Sequence, residues 1–118
     1  MTDQEEQLLA AEIGDAEVRL RICTDTRVDA GRWWRRTPVW LCLAGDDLVV
    51  LAVARRRYIG RVPIVDCSES AYCHGTGELL IGPTEDLRIS RMAMSASDAL
   101  TVLKELNPES RATQTETK

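Results

Sequence analysis

The stretch VWLCLAGDDLVVLAVA, residues 39–54, decides the fold. It contains two strand patterns, Val39–Ala44 and Leu48–Ala54, on either side of a Gly-Asp turn. Gly and Asp favour a tight β-hairpin because they tolerate the positive φ that such turns need. Leu48–Ala54 is apolar at every position, so both of its faces should be covered. One face should meet the core, and the other should meet residues 2–13 or a second subunit.

Further strand patterns lie on both sides of this hairpin. Residues 17–23 alternate strictly, which predicts a strand with Val18, Leu20 and Ile22 on one face. Residues 24–36 are polar and predict a long loop. Downstream, four more strands are expected, over residues 58–65, 69–74, 78–81 and 87–90. Turn signals every 8–12 residues or so are typical of a β-sandwich or a barrel.

Two helices are expected, one at each end of the strand region. Thr2 and Glu5 form a capping-box pattern for a short helix over residues 2–13, which is stable only if it docks. Ser95 and Asp98 form the same pattern at the start of a second helix. One apolar stripe at i, i+3, i+4 and i+7 follows, formed by Ala99, Val102, Leu103 and Leu106.

Length and composition indicate one globular domain. The chain has 118 residues, of which 44% are hydrophobic. We expect an acidic segment over residues 1–15 with a short helix, a folded domain over 16–107 and a disordered tail over 108–118. No apolar run approaches the roughly 18 residues that cross a bilayer, and the N-terminus carries acids where a secretory signal carries bases. We therefore expect a cytoplasmic location, with peripheral binding at the inner membrane surface as an open alternative.

The element order predicts a mainly β, α+β fold, with about seven antiparallel strands in a partly open barrel that one C-terminal helix caps. The chain resembles pleckstrin-homology-like domains in this element order and in three segments. The segments are the hairpin, the strand GRVPIVD (60–66) and the helix SASDALTVLKEL (95–106). Small bacterial members and GRAM domains are the most similar. Many eukaryotic members carry a Trp in the terminal helix, whereas this helix has no aromatic residue. The resemblance covers roughly residues 16–107 and implies a non-catalytic binding or scaffolding module.

Charge is unevenly distributed along the chain. The formal net charge is −4, yet residues 19–61 carry ten Arg against four acids, a net charge of +6. Residues 1–18 carry six acids and no base. The acidic total argues against a nucleic-acid partner, which usually selects a basic excess over the whole domain.

The basic residues are expected to converge at one end of the sheet. In an antiparallel meander, the loop after the first strand and the turn after the third lie at the same end. That end, here called the Arg/Trp end, would collect Arg32, Trp33, Trp34, Arg35, Arg36, Arg55, Arg56 and Arg57. Converging guanidinium groups bind phosphate or carboxylate, and Trp beside Arg suits a membrane interface. The resemblance implies Arg21, Arg35 and Arg36 as counterparts of the residues that bind inositol phosphates. A solvated loop is the open alternative.

Cysteine and histidine residues form a second candidate constellation. Cys67, Cys73 and His74 do not match zinc sites, whose ligands are paired two to four residues apart, and neighbouring strand residues point to opposite faces. Cys42 lies within an apolar strand and is expected in the core. We expect no metal, no cofactor and no catalytic activity. Catalysis by Cys67 with His74 is the remote alternative.

The sequence therefore favours two binding functions over catalysis. The first is protein binding or self-assembly through the outer face of the strand 48–54. The second is binding of anionic headgroups or phospholipids at the Arg/Trp end.

Overall fold

A computed structural model describes residues 1–29, 36–53, 57–82 and 87–106 of the chain. It shows an α+β fold in which two helices accompany two antiparallel sheets within these ranges. The elements are α1 (Asp3–Ile13), β1 (Val18–Asp29), β2 (Arg36–Ala44), β3 (Asp47–Val53), β4 (Arg57–Pro63), a 3₁₀ turn (Ile64–Cys67), β5 (Ala71–Cys73), β6 (Glu78–Leu80), β7 (Arg91–Ala93) and α2 (Ala96–Leu106). The sheet orders are β1-β2-β3-β4 and β5-β6-β7. The expected α+β class is confirmed at this level.

The β2–β3 hairpin forms where the sequence predicts it. Ala44 pairs with Asp47, which leaves Gly45 and Asp46 as a two-residue loop. Gly45 has a φ of 57°, which glycine adopts without a steric penalty. A positive φ at the first loop residue is the pattern of a type II′ turn, whose twist matches that of the flanking strands. Residues 48–52 of β3 are all buried, so coverage of both faces is confirmed.

The main core lies between the two sheets and α2. Its fully buried members from β2 and β3 are Val39, Leu41, Leu43, Leu48, Val50 and Ala52. The apolar stripe of α2 closes this core through Ala99, Val102 and Leu106, as expected. The Ser95 hydroxyl accepts the N–H of Asp98 at 3.1 Å and caps that helix.

β1 differs from the expected strand in its length and in the face of the sheet on which Val18 lies. A register shift between Val18 and Leu20 places Val18 beside α1, while Leu20 and Ile22 meet the main core. The prediction that these three share one face was wrong for Val18, because one extra residue in a bulge reverses the face. β1 also continues to Asp29 through the segment that was expected to be a loop. The buried Thr24 hydroxyl permits this, since it donates to the Val39 carbonyl oxygen at 2.7 Å.

Two other strand boundaries differ from the prediction. The strand expected over 58–65 ends at Pro63, and the chain then enters the 3₁₀ turn. The segment 87–90 is not a strand; β7 follows it and pairs with β6. Residues 87–89 instead pack over the core face of β4, where the Tyr58 hydroxyl accepts two of their main-chain N–H groups. Gly60 on β4 leaves room for this packing, because a Cβ there would lie 2.7 Å from Leu87 Cδ2.

The expected domain limits of 15 and 16 fall between α1 and β1, and the tail expected over 108–118 lies outside the described residues. No helix in the ranges that the structure describes is long and apolar enough to cross a membrane.

Candidate functional site

The outer face of the four-stranded sheet, opposite the main core, is built from three rows of residues. Residues that pair across neighbouring antiparallel strands lie side by side on the same face. The first row consists of Arg21, Cys42, Val49 and Arg61. The second row consists of Cys23, Trp40, Leu51 and Ile59. The third row consists of Arg27 and Pro38, which are paired, and of Val53 and Arg57, which are paired. The rows run from the hairpin end towards the Arg/Trp end.

α1 covers the first row and the fully buried Leu51 of the second row. Its residue Leu9 is 2% exposed and packs on Cys42, Val49 and Leu51 in a second hydrophobic cluster. The helix forms because Thr2 caps it: the Thr2 hydroxyl accepts the Glu5 N–H, and Glu5 Oε1 accepts the Thr2 N–H at 2.8 Å. The capping box that the sequence predicts is confirmed. Of the two expected covers for the outer face of β3, the N-terminal helix is the one observed.

Two arginines at the edges of the first row hold the ends of α1. Arg21 on β1 forms an ion pair of 2.7 Å with Glu6 in the first turn of the helix. Arg61 on β4 donates to the main-chain carbonyl oxygen of Glu12 at 2.7 Å. That carbonyl is one of the last four in the helix, which lack intrahelical partners. α1 therefore lies across the strands, from β1 to β4.

The third row repeats the composition of the first row without a covering element among the described residues. An arginine stands at each edge, and two half-buried apolar residues, Pro38 and Val53, lie between them. Arg27 donates to the carbonyl oxygens of Thr24 and Thr26, and Arg57 is exposed. Within the described ranges neither arginine has a carboxylate partner.

Most of the Arg/Trp end lies outside the described residues. This applies to Arg32, Trp33, Trp34, Arg35, Arg55 and Arg56. The strand ends that border these segments lie at the same end of the sheet, because Asp29 pairs with Arg36 and Val53 pairs with Arg57 in one antiparallel meander. Arg57 is exposed at this end. Arg21 instead belongs to the first row, where it forms its ion pair with Glu6. It lies on the order of 25 Å along the strand from Asp29.

The four cysteines are free thiols with two different environments. Cys42 and Cys67 are buried, and burial raises the pKa of each to about 11. Cys73 is exposed, and a hydrogen bond with the Thr76 side chain lowers its pKa. The core position expected for Cys42 is confirmed. Cys67 donates to the Pro63 carbonyl oxygen at 3.6 Å, so this thiol stays neutral near pH 7.

His74, the expected partner of Cys67, is exposed and lies edge-on to the Tyr72 ring, with centroids 4.9 Å apart. No group of three or more His, Cys, Asp or Glu side chains that could hold a metal ion occurs in the part of the chain that the structure describes. The arrangement therefore offers neither an activated thiolate at Cys67 nor a ligand set for a cation.

Two buried polar atoms near α1 have no hydrogen-bond partner among the described residues. They are Oε2 of Glu5 and Nε1 of Trp40. Glu5 is only 3% exposed, although the sequence predicts it only as a capping residue. A buried polar atom without a partner costs about 1–3 kcal/mol, so these two atoms weaken the docking of α1.

An open groove lies at the hairpin end of the sheet. It has a volume of about 360 Å³ and is lined by Arg19, Asp46, Asp47, Pro63, Ile64, Val65 and Glu105. Ion pairs occupy its charged lining: Arg19 with Glu105 at 2.7 Å and Arg61 with Asp47 at 2.6 Å. Asp46, which also lines the groove, is exposed and forms no ion pair within the described ranges.

The chain has no significant match to any protein-family model, curated protein or solved structure.

The sequence predicts Arg57 as a site residue but not Arg27, because the segment from residue 24 onwards was expected to be a loop. A signal was present in the alternation of Thr24, Thr26 and Val28, which are β-branched residues that favour strands.

Proposed function

We propose that this protein is a non-catalytic binding module with a pleckstrin-homology-like barrel, and that it binds another protein through the second and third rows of its outer face. The order of four strands, three strands and a closing helix supports the barrel assignment. The observation that carries the function is the apolar surface that continues beyond α1, flanked by Arg27 and Arg57, which have no carboxylate partner among the described residues.

The composition of this surface is that of a protein interface. Trp40, Ile59, Pro38 and Val53 are half-buried on this face, and the first two also pack against the cluster under α1. Single exposed apolar residues are normal, but a contiguous group of them marks an interaction site. Trp and Arg are also the residues that most often dominate binding energy at interfaces.

The chemistry of the thiols supports a binding role over catalysis. Cys67 is buried with a raised pKa, and its hydrogen bond goes to a main-chain carbonyl oxygen instead of a base. A nucleophilic cysteine needs a depressed pKa and an adjacent base.

Site-specific photo-crosslinking in the native host tests protein binding. A photoreactive residue at position 53 samples the third row, and one at position 100 is the control, because Leu100 is 56% exposed on the outer side of α2. We expect a discrete protein adduct at position 53 and none at position 100, and the change Ile59→Asp should abolish the adduct. No adduct at position 53, or the same adduct at both positions, would contradict the proposal.

Binding of anionic headgroups at the Arg/Trp end is the second candidate. Two observations favour it. The ends of all four strands that border the Arg/Trp end lie at the same end of the sheet, and Arg57 is exposed there. Peripheral location at the inner membrane surface depends on this candidate. Co-sedimentation with anionic and neutral vesicles at low and moderate salt tests it. Binding only to anionic vesicles, weakened by salt, would support it; binding to neither kind of vesicle would exclude it.

A further inference from the structure

We propose that the second and third rows bind an acidic amphipathic helix of a partner protein, seated on the sheet beside α1. This inference rests on the proposed function, since it names the chemistry of the protein that the outer face would bind. The molecule itself contains the precedent, because the first row already holds such a helix.

The first row shows what this surface selects. Two apolar residues in its middle, Cys42 and Val49, receive Leu9 of α1. The arginines at its edges bind an acidic side chain and a helix carbonyl oxygen. α1 suits this seat because residues 1–18 carry six acids and no base.

The third row offers the same groups to a second helix. Pro38 and Val53 are apolar and half-buried, and Arg27 and Arg57 stand at the two edges. A helix with a basic polar face would bring like charges together here, which is destabilising. A helix with acids towards both ends would instead form two charge-assisted contacts.

The dimensions of the face allow two helices side by side. Two residues along a strand cover roughly 6.6 Å, so the third row lies about 13 Å from the first. Packed helices lie about 8–10 Å apart, which places a neighbour of α1 over the third row and beside the half-buried Trp40 and Ile59 of the second row, since Leu51 is already buried under α1. Four strands spaced at about 4.8 Å separate Arg27 from Arg57 by about 14 Å, a distance that ten helical residues span.

The test uses a peptide of residues 1–15 as the probe, because it is the acidic helix that packs on the first row. A hydrocarbon staple joins positions 7 and 11, which are exposed in α1, so that the isolated peptide is helical. A control peptide carries Glu6→Gln and Glu12→Gln. Each peptide is titrated into the full-length protein labelled with ¹⁵N, and amide shifts locate the site.

Two double variants separate the third row from general charge effects. Arg27→Glu with Arg57→Glu reverses the two edge charges. Arg88→Glu with Lys104→Glu is the matched control, because both residues are exposed away from the outer face. Circular dichroism checks that each variant is folded.

We expect shifts at Val53, Arg57 and Ile59, with binding at least about tenfold weaker in the first double variant and within about twofold in the control. The Gln peptide should bind more weakly than the acidic one. The inference is overturned if the acidic peptide does not bind, if both peptides bind equally, or if the shifts are confined to the first row, which would mean exchange with α1. It is also overturned if the protein alone sediments as a dimer that Arg57→Glu disrupts, since the occupant would then be a second copy. A photo-crosslink at position 53 without peptide binding would support the proposed protein binding but contradict the inference that the bound partner segment is an acidic helix.

Discussion

Arg61 on β4 donates a hydrogen bond to the main-chain carbonyl oxygen of Glu12, at 2.7 Å, and so ties the last turn of α1 to the edge of the sheet. The same guanidinium group bonds Asp47 Oδ2 through Nε at 2.7 Å, which fixes its orientation. Since the carbonyl groups at a helix C-terminus lack partners and carry partial negative charge, an arginine is well suited to this position. The N-terminal segment is thereby part of the folded sheet surface.

Replacement of Arg61 by Met should loosen the last turn of α1. The substitution keeps an apolar stem but removes the bonds to Glu12 and Asp47, so we expect a loss of about 0.5–1 kcal/mol in local stability. Native-state hydrogen exchange at the last turn of α1 measures it. Arg88→Met is the control, because Arg88 is exposed elsewhere. Equal exchange rates in both variants would show that the Arg61 bond contributes nothing.

Replacement of Leu9 by Ala should detach α1 from the first row. Leu9 is the one apolar side chain of α1 that is buried within the described residues, and loss of a buried Leu costs about 2–4 kcal/mol. Urea unfolding measures the change, and hydrogen exchange should show that the protection of α1 is lost first. Leu100→Ala, at an exposed site, should stay within about 0.5 kcal/mol of the parent protein. Similar losses in the two variants would contradict the docking of α1 through Leu9.

The hairpin and α2 were predictable because their signals are local. The Gly45-Asp46 loop and the short apolar runs on both sides of it specify the hairpin within sixteen residues, and the stripe of α2 follows from its own spacing. The facing of Val18 was not predictable, because a bulge adds one residue without any compositional signal. The extension of β1 depends on Thr24, whose hydroxyl bonds to a residue fifteen positions away.

The candidate site was predictable only in part for the same reason. The two-faced character of β3 and the basic middle of the chain are visible in the sequence. The placement of Arg21 with α1 and of Arg27 with the third row needs the register of β1, which depends on two irregularities of pairing. The last strand is formed by 91–93 and not by 87–90. This too depends on a distant group, because the Tyr58 hydroxyl accepts the main-chain N–H groups of residues 88 and 89.

Tyr58→Phe should be more costly than Tyr72→Phe. The Tyr58 hydroxyl accepts the main-chain N–H groups of Arg88 and Ile89 at 2.9 and 3.0 Å, whereas the Tyr72 hydroxyl makes a single bond to the Met94 carbonyl oxygen. Removal of the first leaves two amides without their acceptor, and we expect a loss of about 1–2 kcal/mol, against about 0.5–1 kcal/mol for the second. Urea unfolding of both variants gives the comparison, and the amides of residues 88 and 89 should exchange faster only in Tyr58→Phe. Equal losses in the two variants would mean that residues 87–89 are held by packing alone.

The buried thiols should make the protein less stable in alkaline solution. Burial raises the pKa of Cys42 from its ordinary value of 9.0 to about 11, and that of Cys67 equally. Below pH 9 these thiols are protonated in both the native and the unfolded chain, so they do not affect the pH dependence. Between pH 9 and 11 only the unfolded chain releases their protons, and the free energy of unfolding therefore falls as the pH rises.

At pH 10 the expected loss is about 1 kcal/mol for each buried thiol. Urea unfolding at pH 8 and pH 10 measures it in two matched double variants. Cys42→Ala with Cys67→Ala removes the buried thiols and should flatten the dependence on pH, whatever its effect on stability at pH 8. Cys23→Ala with Cys73→Ala removes the exposed thiols and should keep the loss of stability at pH 10. If both double variants lose the same stability between the two pH values, groups other than the buried thiols must cause the alkaline loss, because the titratable residues of the two proteins differ only at the four cysteines.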